Sequence, residues 1–359
     1  MSLLYVPTVF LGASLGGWWL LLTPLYGLVV TSLFDAFTPK NTENKDPNTP
    51  DNSLFWYRLI TLIWLPVQIL LIFGGMWVAG RAGLGGWEKL FLFYGIGVAT
   101  STIGINYAHE LIHQGNRLEN RLGEWLLASV LYAHFRTEHL FVHHRYVGTP
   151  RDAVTARYGE GFYHYFARVL PDGFLSAWRM ERDLLSRKNR PIWHPANAFW
   201  RYFGMQALFL LSAVLIGGWQ GLLLFIFQAF VAVLYLEITN YVEHYGLTRK
   251  HLGNGKYEHV KPRHSWNASH RVTNWLMINL QRHSDHHYKP DRRFPLLQTY
   301  EASEAPQLPF GYPIMGALAL APKYWRKRMN PRVDRWRARH YPDITDWKDY
   351  NEGTTPLPR

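Results

Sequence analysis

The placement of apolar residues constrains this chain more than any other feature. A helix needs about 20 consecutive apolar residues to cross a bilayer. Apolar runs fall at about 3–15, 18–35, 55–79, 87–109, 199–217 and 219–244, the first of them short. In hydrocarbon every backbone N–H and C=O must be satisfied within the chain, so the expected fold class is an all-α integral membrane protein with six transmembrane helices. The first run passes into the second without a small-residue cleavage site, which does not read as a removable signal peptide.

Gly-Gly-Trp occurs at 16–18, 85–87 and 217–219, each time between two apolar runs. Glycine permits a tight reversal and tryptophan favours the membrane interface. Three helical hairpins would then place their turns on one side, almost bare of charge apart from Arg81 and Glu88. The linker 36–53, the segment 110–198 and the basic region from Leu247 to Arg359 fall on the other. With 38 Lys+Arg against 26 Asp+Glu and a formal charge of +12, the positive-inside rule makes that side cytoplasmic in a bacterial-type inner (cell) membrane. The charge is assigned to topology, and no nucleic-acid partner is expected. The expected division is a membrane domain over 1–335 and a cytoplasmic C-terminal tail over 336–359.

The chain has no cysteine, which excludes disulfides, cysteine-ligated zinc or iron–sulfur, and thiolate-bound haem. Neither glycine-rich nucleotide fingerprint occurs. Any reducing equivalents must come from another protein.

Nine of the 17 histidines fall into four short clusters at ends of these runs. His109 and His113 stand at i, i+4 on one helix face. His139, His143 and His144 form the second cluster, His244 in Asn240-Tyr241-Val242-Glu243-His244-Tyr245-Gly246 is the third, and His283, His286 and His287 form the last. His109-Glu110-x-x-His113 also matches the zinc-protease motif with Glu110 as base, but one zinc uses only three protein ligands there. Paired axial histidines of a haem do not explain the adjacent His143 and His144. Imidazole suits iron, copper and zinc; the number of ligands favours two ions, and reaction with O2 favours iron over copper because the methionines lie elsewhere.

The clusters and the strings around them resemble the membrane alkane hydroxylase (alkane 1-monooxygenase) family, a branch of the membrane fatty-acid desaturase and hydroxylase group. The likeness runs from about residue 30 to 335. It includes Tyr132-Ala133-His134-Phe135, His144-Arg145, Thr149-Pro150, Lys261-Pro262-Arg263-His264-Ser265-Trp266-Asn267 and Leu280-Gln281-Arg282-His283-Ser284-Asp285-His286-His287. The resemblance implies six membrane helices and two iron ions held by the nine histidines. It further implies terminal hydroxylation of medium-chain alkanes with O2, and electrons from rubredoxin or ferredoxin with its reductase. An alkyl-aromatic or fatty acyl chain is the alternative substrate, and an intramembrane zinc protease the remote alternative. Ile112 and Gln114 replace the family's glycine and lysine in the first box, Leu140-Phe141-Val142 fill the second, and Ala153 stands for a proline. Bulky residues so near the ligands put the substrate in question.

Glu110, Glu138, Glu243 and Asp285 are the candidates for orienting imidazoles by hydrogen bonds, a role such carboxylates often fill. Asn267 and His264 are possible further site residues. His134, His164, His194, His251, His259, His270 and His340 are expected to be non-ligands. An apolar substrate calls for an apolar tunnel reached from the bilayer. Gly27, Gly74, Gly75, Gly95 and Gly97 serve such a tunnel or close helix packing, with packing favoured. Lys289, Arg292, Arg293, Arg326, Lys327 and Arg328 offer a basic surface for an acidic electron donor.

Overall fold

Apolar runs that cannot find hydrogen bonds in lipid fold as helices, and the computed structural model, which describes residues 1–359, has no strand beyond two isolated bridges. Helix α1 spans Tyr5–Leu15. Four helices are long and apolar enough to cross a membrane: α2 (Gly17–Phe37), α3 (Asp51–Arg81), α4 (Gly86–His113) and a 47-residue helix, Ala198–His244. Between the last two lie α5 (Arg117–Ala128), α6 (residues 135–146) and α7 (Phe162–Ser186). The 47-residue helix is α8; α9 (Arg271–Leu276), α10 (His283–Tyr288), α11 (Tyr312–Ala319) and α12 (Pro322–His340) follow.

Helix α8 is two antiparallel arms. Gly218 has φ 59° and ψ −152°, a left-handed conformation that glycine adopts without a Cβ clash. Phe209 stacks on Phe225 across the bend with centroids 6.2 Å apart. Gly16 breaks the chain between α1 and α2 in nearly the same conformation, φ 62° and ψ −158°. The Gly-Gly-Trp at 85–87 differs: Gly85 has φ −62° and opens α4, while the left-handed residue is Gly83. A longer loop there moves the reversal two residues upstream.

These turns meet at one end of the helices. Glu88 accepts from the backbone N–H of Gly17 at 2.8 Å and of Gly85 at 2.9 Å. Lys89, a further charge at this end, donates to Gln220 at 3.2 Å. Trp18, Trp87 and Trp219 are all exposed. The histidine-bearing ends of α4 and α8 lie at the opposite pole, where residues 336–359 also pack. There Arg337 donates to the carbonyl of Gly246 at 2.9 Å and to Asn351 at 2.7 Å.

Candidate metal centre

Helix geometry aims the histidines. In α4 the i, i+4 pair His109 and His113 faces one way, with ring centroids 5.0 Å apart. In α6 residues 139–143 wind as a π-helical turn, closed by a bond from the backbone N–H of His144 to the carbonyl of His139. An i, i+5 turn is wider than an α-turn, so His144 stands over His139 while His143 is turned aside. The box therefore divides. The ligand atoms of His109, His113, His139, His144 and His286 lie within 4.8 Å of one another, and those of His143, His244, His283 and His287 do the same. The groups share a wall, with the rings of His144 and His287 4.6 Å apart.

Spacing within each group suits a metal. The Nε2 atoms of His113 and His139, His139 and His144, and His144 and His286 are each 3.0 Å apart. So are those of His244 and His283, and of His283 and His287. Imidazole nitrogens at about 2.1 Å from a zinc-sized ion, at right angles, stand about 3.0 Å apart. Burial, then the neighbouring imidazoles, hold His139, His144, His283, His286 and His287 well below the ordinary histidine pKa of 6.5. They are therefore neutral, the form that binds metal.

None of the four carboxylates singled out from the sequence meets the outer nitrogen of a clustered imidazole. Glu110 accepts from Gln114 at 3.0 Å and from the backbone N–H of Phe294 at 3.2 Å, so it is not aimed as a protease base. Asp285 is filled by Arg292 at 2.6 Å, Tyr300 at 2.6 Å and the N–H of Gln298 at 2.9 Å. Burial raises the pKa of Glu138 well above the carboxylate range, and its Oε1 has no polar partner. Glu243 accepts from Tyr312 at 2.7 Å, and its other oxygen is 3.3 Å from Nε2 of His283, on the side where the ligand atoms gather.

The carboxylate that does meet the outer nitrogen of a clustered imidazole is Asp152, 3.0 Å from Nδ1 of His143. Asp152 directly precedes Ala153, one of the departures from the family pattern, and nothing in the sequence marked it as a site residue. Nδ1 of His144, His244, His283 and His287 is buried without a partner. Asn267 accepts from the N–H of Ser284 at 2.9 Å and so fixes the first turn of α10. His264 pairs instead with Glu258 and Tyr341, at 3.2 and 2.9 Å. The seven histidines set aside as non-ligands stand outside both groups.

An apolar cavity of about 580 Å³ lies between α2, α4, α8, α9 and α11. Leu33, Ile314 and Leu320, all exposed, line its outer part. Its inner wall includes Asn106, one turn before His109, and Tyr312, the partner of Glu243. Gly27 lines it as well, whereas Gly74, Gly75, Gly95 and Gly97 pack against Phe10, Ile96, Thr23 and Val231.

Comparison with known proteins agrees with this arrangement. A family model described as fatty acid desaturase matches residues 85–319. "Alkane 1-monooxygenase 2" of Pseudomonas aeruginosa is 39% identical over 332 residues, 91% of this chain and 87% of the relative. "Alkane 1-monooxygenase 2" of Alcanivorax borkumensis is 40% identical over 298 residues, covering 81% and 78%. The chain belongs to the alkane 1-monooxygenase family. Its departures from that family's usual pattern leave the cavity alone: Ile112, Gln114, Leu140, Phe141, Val142 and Ala153 are all absent from the cavity lining. Ile112 packs on Gly123, Gln114 bonds Glu110, and Val142 sits with Tyr146 and Met180.

Proposed function

We propose that this alkane 1-monooxygenase family member hydroxylates the terminal carbon of a medium-chain alkane at two iron ions. His109, His113, His139, His144 and His286 would hold one ion, and His143, His244, His283 and His287 the other. Glu243 is a further donor beside the second. Bound there, the metals would supply activation of O2, chemistry that protein side chains lack. The balance is RH + O2 + 2 e⁻ + 2 H⁺ → ROH + H2O.

What carries the reading is the convergence of nine imidazoles beside an apolar cavity. An alkane offers no polar handle, so the cavity selects by apolar contact and shape. Its exposed outer residues suit arrival from the bilayer. Six spans follow if α1, α2, α3, α4 and the two arms of α8 each cross. The positive-inside rule then puts the histidines on the cytoplasmic side of the inner membrane. Rubredoxin or ferredoxin with its reductase would be the electron source.

The test is metal analysis of purified protein, followed by product analysis by mass spectrometry with O2, reduced rubredoxin and a panel of alkanes, alkyl-aromatics and fatty acids. Two irons per chain and a primary alcohol from an alkane are expected. One zinc with no iron, or no O2-dependent product, would overturn the reading.

A further inference from the structure

We infer that the turn end of the helices binds the anionic headgroup of a phospholipid, in a cavity between α3, α4 and the bend of α8, with an acyl chain of that lipid lying along the cavity's apolar inner part. The inference does not use the metal assignment. It rests on these helices crossing a bilayer, which their length and apolar composition allow.

The turns at 16–18, 83–87 and 217–219 and the helix ends beside them carry three charges, Arg81, Glu88 and Lys89. Glu88 is engaged by the backbone N–H groups of Gly17 and Gly85, at 2.8 and 2.9 Å. Both cations line one cavity of about 340 Å³, and no carboxylate shares its wall. Neither meets an acid elsewhere: the Arg81 guanidinium lies 3.5 Å from the centroid of the Trp77 ring, and Lys89 donates to Gln220 at 3.2 Å. In the proposed topology this end is not cytoplasmic, so the positive-inside rule gives no reason for the pair. Two like charges facing one cavity repel each other, and an anion between them offsets that cost.

The cavity is graded in polarity. From each polar residue of the lining, the next lining residue lies one helical turn, about 5.4 Å, toward the interior of the membrane. Arg81 is paired in this way with Trp77 on α3, Lys89 with Phe93 on α4, and Gln220 with Leu224 on the second arm of α8. Phe93 and Leu224 are buried. A free phosphate ion would use only the outer half of such a wall, whereas an amphiphile with an anionic head uses both. Trp77, Trp87 and Trp219 are exposed at this pole, where tryptophan marks the headgroup level. Basic pockets between membrane helices hold phosphate headgroups. The three walls are remote in sequence, so a lipid seated here ties α3 and α4 to the bend of α8.

The experiment uses the full-length protein as purified in detergent. Retained lipid is counted by native mass spectrometry, and melting temperature is followed during titration with phosphatidylglycerol, phosphatidylcholine or inorganic phosphate. Wild type is compared with Arg81→Gln/Lys89→Gln, with the charge-keeping Arg81→Lys/Lys89→Arg, and with Arg326→Gln/Lys327→Gln. The last removes two exposed cations from α12, which packs on Tyr241 and Tyr245 at the other pole. Phosphatidylglycerol is expected to stabilise wild type, the charge-keeping variant and the α12 variant, less so as salt rises. Its Kd should be weaker by roughly tenfold or more in Arg81→Gln/Lys89→Gln, in line with two interfacial cations, while all four proteins melt alike in phosphatidylcholine. Equal phosphatidylglycerol affinity in the four proteins, a loss as large in the charge-keeping variant, or protection by inorganic phosphate equal to that by the lipid would overturn the site. Protein that stays monodisperse without detergent would instead overturn the membrane placement beneath it.

Discussion

Asp152 and His143 form a carboxylate–imidazole pair, 3.0 Å between Oδ2 and Nδ1. Thr155 and the N–H of Val154 bond the same carboxylate, at 2.6 and 3.1 Å. With Nδ1 engaged, Nε2 of His143 is the lone pair left for a metal. Outer partners of this kind change metal affinity or activity by about 10–100-fold when removed. Asp152→Ala should therefore release iron from one site within that range in a chelator competition, with Asp152→Asn intermediate because it keeps one acceptor. Iron release equal to wild type in both variants would remove this role from Asp152.

The division of the second box gives the two groups separable losses. His139→Ala strips the five-histidine group and His283→Ala the four-histidine group. Each should lower iron from about two toward about one per chain and abolish hydroxylation, since a lost ligand opens a coordination position. The apolar spans are untouched, so membrane insertion should persist. His340→Ala is the control: its ring lies 4.2 Å from Trp336, outside both groups. Comparable iron loss in all three would refute the assignment.

Cavity shape should set chain length. Ser101 is buried in α4 and lines the apolar cavity, so Ser101→Phe would fill part of it. One methylene in an apolar pocket is worth about 1–3 kcal/mol of discrimination. Turnover of the longest accepted alkane should then fall by about tenfold or more relative to the shortest, at unchanged iron content. Competition assays with mixed alkanes read this ratio directly, and a uniform fall across all lengths would count against the cavity as substrate site.

How much of this was legible in the sequence depends on the range of the forces involved. The apolar runs and the four histidine clusters are local, and Ala198–His244 bends at Gly218 where Gly-Gly-Trp marks it. The π-turn at 139–143 is not local in this sense, because spacing alone does not reveal an added residue per turn, and so the split between His143 and His144 was hidden. Asp152 reaches His143 across a loop. Neighbourhood in sequence misled for Glu110: successive helix residues point about 100° apart, so the residue after His109 faces Phe294. Helix α7 has no apolar run, yet its buried Phe162, Tyr165, Val169, Gly173 and Ala177 recur at helical spacing, a periodicity that could have exposed it.

The buried imidazoles also predict how metal-free protein responds to acid. His139, His144, His283, His286 and His287 have folded pKa values well below 6.5, with burial as the first cause. Below pH 6.5 the unfolded chain takes up protons that the folded chain refuses, so stability rises with pH and is lost on acidification through that range. Each such histidine contributes about 1.4 kcal/mol per pH unit to the slope. Apo-protein in detergent, unfolded while tryptophan fluorescence is followed, should melt at a clearly lower temperature at about pH 5.5 than at about pH 7.5. Replacing two of the group, His286→Leu with His287→Leu, should make the dependence shallower by about two protons, because those side chains no longer distinguish folded from unfolded protein by protonation. A melting temperature flat across that range would mean that these rings are solvated or already protonated in the folded chain. A slope unchanged in the double variant would place the titrating groups elsewhere.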